Sequence, residues 1–116
     1  MKNYIEFESG GVIAKAYTTI DNVYEIEDAG ISLSKLFFDI LHADNILSFK
    51  VSSKILDVAI KADIPDFKKR SEFVKFYFDK KRFKACDEVS AFVIQAVRTP
   101  RNDEYDGVGE TENEKK

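Results

Sequence analysis

Residues 55–84, ILDVAIKADIPDFKKRSEFVKFYFDKKRFK, constrain the fold of this chain more than any other stretch. Apolar residues alternate at Leu56, Val58, Ile60, Ala62 and Ile64, and again at Val74, Phe76 and Phe78. Strict alternation puts successive side chains on opposite faces of an extended chain, so both runs read as half-buried strands. Pro65 has no amide hydrogen to continue an internal ladder and closes the first run. Basic connections, PDFKKRSE (65–72) and KKRFKAC (80–86), flank the second. The stretch therefore combines a core-facing side with a cationic side.

The remaining elements are placed around it. Ile5 and Phe7 alternate with Tyr4, Glu6 and Glu8, and Gly10-Gly11 supplies the positive φ needed to close a tight hairpin onto Val12–Thr19. Asp21-Asn22 marks a turn into a third short strand, Val23–Glu27. After Gly30 the period changes: Leu33, Leu36, Phe37, Ile40 and Leu41 form one helical stripe, which predicts a helix over 31–43. Strands are predicted again at 46–52, 55–64 and 73–79, and a last one, apolar on both faces, at 89–98. Residues 102–116 hold too little apolar surface to order themselves and read as a disordered acidic tail. The expectation is an α+β, mostly β domain over 1–101: a small curled antiparallel sheet or barrel of about seven strands with one helix.

A chain of 116 residues with 44% hydrophobic content can bury a core without a staple. The single Cys86 excludes an internal disulfide and fits a reducing, cytoplasmic setting. No window approaches the roughly 20 apolar residues of a membrane span. His42 has no serine or cysteine context that would mark a catalytic partner, and no histidine, Gly-rich loop or ligand array accompanies the paired carboxylates Asp63/Asp66 and Asp87/Glu88. Neither an enzyme nor a metal or cofactor site is expected.

Net charge is −3, distributed unevenly: residues 1–30 carry −4, residues 61–84 carry +5 and residues 102–116 carry −4. The cations Lys68, Lys69, Arg70, Lys75, Lys80, Lys81, Arg82 and Lys84 would lie along and beside the strand from Phe73 to Asp79. At the usual strand rise this strip spans ~25 Å, enough to track several phosphates. An outward Tyr77, helped by Phe67 or Phe83, would stack on unpaired bases. The same charges also read as solvated gatekeepers beside the FVKFYF strand.

An N-terminal meander, a helix, then KILDVAIKADIPDF, FVKFYF and DEVSAFVIQAVRTPR resembles the PrgU-type regulators of pheromone-responsive conjugative plasmids. The resemblance implies a PUA-like RNA-binding barrel and a cytoplasmic regulator that limits production of conjugation adhesins. Two functions follow as expectations: RNA binding through the strip around Lys68–Lys84, or a non-enzymatic interaction module, such as a phage or plasmid inhibitor, engaging an acidic protein partner.

Overall fold

The computed structural model describes residues 3–43 and 47–98. In chain order the elements are β1 (Tyr4–Ser9), β2 (Val12–Tyr17), α1 (Ile20–Asp28), α2 (Leu33–Ala43), α3 (Phe49–Ala59), α4 (Phe67–Lys81) and α5 (Phe83–Val97). Among the described residues the only sheet is the two-stranded antiparallel β1–β2 hairpin. The mostly β architecture, the seven strands and the PUA-like barrel are therefore wrong. The predicted strands at 23–27, 55–64, 73–79 and 89–98 fall on α1, α3 with the turn after it, α4 and α5. The strand predicted from Ile46 begins outside the described residues and ends within α3. The tail 102–116 also lies outside them.

Burial shows which period governs. The buried residues of α3 are Ser52, Ile55, Leu56 and Ala59, and those of α4 are Arg70, Phe73, Val74, Tyr77 and Phe78. Spacings of three, one and three place these on one helical face. Leu56, Ile60, Val74 and Phe78 are buried as expected, but Phe76 is 42% exposed and Tyr77 only 1%. Helix starts are set by side-chain caps: Ser48 Oγ accepts from the Val51 amide at 3.2 Å, and Asp66 Oδ2 accepts from the Lys69 amide at 2.9 Å. The segment PDFKKRSE is thus a helix entry with Asp66 at its cap.

The hairpin and α2 match the sequence pattern. Gly10 and Gly11 have φ of 57° and 82°, the left-handed pair that a two-residue hairpin turn requires, and Ser9 pairs with Val12 across it. Cross-strand pairing puts Phe7 beside Ala14 and Ile5 beside Ala16 on the inner face. That face rests on α3 and α4, while α5 packs against α2, α3 and α4. Ser9 Oγ donates to Phe73 O at 3.0 Å, tying the hairpin to α4. At the junction the Phe7 ring meets Tyr77 and Phe92 edge-on, with centroids 5.6 and 6.4 Å away.

A β-carbon on Gly10 would sit 3.1 Å from Cε2 of Phe76, whereas one on Gly11 meets nothing within 4 Å. Both substitutions pay left-handed strain, and only the first also pushes on a ring. Gly10→Ala is expected to destabilise the protein by about 1–2 kcal/mol and Gly11→Ala by less, as read from urea unfolding midpoints.

Candidate functional site

The nine predicted site residues occupy one helix and its exit instead of a strand and two loops. Three are committed to the fold. Arg70 is buried, with Nε 2.9 Å from Asp57 Oδ1, and its Nη1 donates to the carbonyls of Ile64 and Pro65 at 3.0 and 3.1 Å. It fastens α4 to α3 and to their connection. Tyr77 faces the core, and its hydroxyl donates to Glu88 Oε1 on α5. Burial first, and then the hydrogen bond and charge of Glu88, push the Tyr77 phenol far above its ordinary value of 10.0. Lys81 pairs with the same carboxylate at 3.3 Å. Neither Arg70 nor Tyr77 is available to phosphate or base, and the stacking role expected of Tyr77 is excluded by its position.

Lys68, Lys69, Lys75, Lys80, Arg82 and Lys84 are exposed. They do not form one uninterrupted strip. At 3.6 residues per turn, Lys68, Glu72, Lys75 and Asp79 share a row, so acids alternate with cations along it. Lys80 lies 5.5 Å from the centroid of the exposed Phe76 ring. Arg82 donates to Asp79 O and to Asp79 Oδ1 at 2.7 and 3.1 Å.

A groove between α3 and α4 is the feature that the strand pattern concealed. Asp57 near the end of α3 bonds Arg70 near the start of α4, while Phe49 at the start of α3 lies by Asp79 and Arg82, so the helices run antiparallel. One hollow of about 380 Å³ is lined by Ser53, Lys54, Asp57, Phe67, Ser71, Val74 and Lys75. A second of about 290 Å³ is lined by Phe49, Lys75, Phe78, Asp79 and Arg82. Lys75 lines both, so they read as one trough, ~22 Å long at the helical rise over α4. Val74 and Phe78 supply an apolar floor, and the exposed rings of Phe67 (71%) and Phe49 (49%) stand at its two ends.

The trough's electrostatics follow from who is paired. Asp57 is taken by Arg70 and Asp79 by Arg82. Lys54 and Lys75 are exposed, and neither has an ion pair among the described residues. Two ammonium groups without an ion pair among the described residues therefore line the apolar-floored channel. Of these residues, Phe49, Ser53 and Lys54 escaped sequence reasoning; the signal for them was the Ser48 cap, which turns FKVSSKIL into the start of a helix.

Cys86 is buried and free, and no group of three or more His, Cys, Asp or Glu among the described residues is placed to hold a metal. His42 is on the solvent side of α2, its ring centroid 4.1 Å from that of Phe38. No described helix is long and apolar enough to cross a membrane. Comparison with protein-family models, with curated proteins and with solved structures returns no match.

Proposed function

We propose that this chain is a non-enzymatic protein-interaction module whose α3–α4 groove receives an acidic amphipathic helix from a partner protein. The observation that carries this is the pairing pattern: the groove's carboxylates are neutralised internally while Lys54 and Lys75, beside the apolar floor of Val74 and Phe78, have no ion pair among the described residues. A helix lying in the trough would place apolar residues at i, i+3, i+4 and i+7 on that floor, between Phe67 and Phe49, with acids reaching the two lysines. About fifteen residues of helix match the ~22 Å length. An RNA interface draws on the same exposed lysines, but Glu72 and Asp79 interrupt their row and Tyr77 offers no stacking face.

The test is fluorescence anisotropy with two probes: a labelled synthetic helix carrying Leu at i, i+3, i+4 and i+7 and Glu on its other face, and a labelled single-stranded RNA. Saturable peptide binding that unlabelled RNA does not displace is expected. Tight RNA binding without peptide binding would overturn the proposal in favour of an RNA regulator.

Arg82 provides a further check, because it joins α4 to α5 at φ 53° and ψ −124°, a conformation side chains other than glycine rarely adopt. Arg82→Gly relieves that strain and gives up only exposed contacts to Asp79, so stability should rise by about 1 kcal/mol. It also leaves the Asp79 carboxylate uncompensated in the groove, so affinity for the acidic peptide should fall about 3- to 10-fold. A more stable protein with unchanged peptide affinity would remove Arg82 from the interface.

A further inference from the structure

A separate cleft of about 410 Å³ opens where the end of β2, the start of α1 and the α3–α4 connection meet. Its lining combines Tyr17, Val58, Ala62 and Pro65 with the acidic residues Asp21 and Glu25. Those two acids are four residues apart on α1 and so lie one above the other on the same helical face. Both are exposed, and neither has an ion pair among the described residues. Among the described residues Lys61 is the one cation on the lining, against the two carboxylates, which leaves the described lining with an excess of negative charge.

The walls are also fixed before any ligand arrives. Buried Asn22 uses its Nδ2 to donate to Tyr17 O at 2.7 Å and to Ala59 O at 3.0 Å, locking α1 to both β2 and α3. Lys15 N donates to Asp63 Oδ2 at 2.9 Å, holding the turn after α3 against β2. A preformed hollow of this size, apolar on one side with a few polar groups converging from the other, has the make-up of a small-molecule site.

We propose that this cleft binds a primary aliphatic amine, its ammonium held between Asp21 and Glu25 and its alkyl chain lying on Val58, Ala62 and Pro65. Two carboxylates favour the cation over an alcohol or an acid of the same length, and the apolar wall favours a stem over a bare ammonium ion. The site is independent of the α3–α4 groove, so it stands or falls separately from the function proposed above.

The experiment is an NMR titration of the full chain with 1-aminopentane, alongside 1-pentanol, pentanoate and Nα-acetyl-lysine-N-methylamide. Saturable shifts in the millimolar range are expected at the amides of Asp21, Asn22, Glu25, Val58 and Ala62, with pentanol about tenfold weaker and pentanoate inert. Asp21→Asn/Glu25→Gln should weaken aminopentane about tenfold while leaving the helical circular dichroism unchanged, and Lys54→Glu should leave it bound. Binding of the lysine derivative would support a partner's side chain as the amine's source, and binding of aminopentane alone would support a free amine. Equal shifts from pentanol or pentanoate, or no saturation with aminopentane, would overturn the assignment.

Discussion

Tyr77→Ala is expected to destabilise the protein by about 3–5 kcal/mol, the range for deleting a buried aromatic ring. The ring is 1% exposed and lies 5.6 Å from Phe7, 5.4 Å from Phe78 and 6.4 Å from Phe73 between centroids, so its loss empties the junction of the hairpin with α4 and α5. Tyr77→Phe keeps the packing and removes only the hydroxyl donated to Glu88, whose carboxylate still pairs with Lys81. A cost of about 1 kcal/mol is expected. Because the folded phenol titrates above its ordinary value of 10.0, its share of stability is present below that pH. It is lost as pH rises further, when the unfolded chain ionises first. Urea unfolding followed by helical circular dichroism should therefore show the wild type losing more stability above pH about 10 than Tyr77→Phe does. A neutral Tyr77→Ala would return this residue to the surface that the strand pattern assigned to it.

The misplacement of Tyr77 shows how much of the fold the sequence carries openly. The hairpin is legible because Gly10-Gly11 has a single tight-turn solution, and α2 because Leu33, Leu36, Phe37, Ile40 and Leu41 fit no period but the helical one. In α3 and α4 the same letters fit two periods. Leu56/Val58/Ile60 and Val74/Phe76/Phe78 alternate, and their Val, Ile, Phe and Tyr content favours strands, yet tertiary packing overrides that preference. The discriminating residues are those the alternation skips: Ile55 and Ala59 in α3, and Phe73 and Tyr77 in α4, all buried beside their neighbours as i, i+1, i+4, i+5 pairs. Ala85, Cys86, Val89 and Ser90 repeat the pattern in α5.

The charge pattern was only partly informative about the site. Exposure of Lys68, Lys69, Lys75, Lys80 and Lys84 follows from their charge on any fold, but a cationic residue count does not reveal that Arg70 is consumed by Asp57 and two carbonyls. Nor does it reveal the groove, which exists only because residues 49–59 form a helix antiparallel to α4.

Reversing the two free charges of that groove is expected to have the largest effect on binding. Lys54→Glu/Lys75→Glu changes the trough by four units of charge, and at about 1–1.5 kcal/mol per reversed contact the acidic helix should bind about 30- to 150-fold more weakly. Folding should be unaffected, because both lysines are exposed, unpaired among the described residues and on helices where Glu is as good a former as Lys. A helix of the same apolar pattern with Lys in place of Glu should bind the double variant better than the wild type, which separates charge recognition from damage to the floor. Lys69→Glu/Lys84→Glu alters the same net charge away from the trough lining and should change peptide affinity by no more than about threefold through screened long-range attraction. If anisotropy instead shows the two double variants weakening the peptide equally, recognition rests on net charge and the groove has no part in it. If Lys69→Glu/Lys84→Glu abolishes RNA binding while the peptide never binds, the exposed cations serve phosphate. The pairing of Asp57 and Asp79 within the protein favours neither of these outcomes, since it neutralises the acids of the trough whose lining Lys54 and Lys75 share.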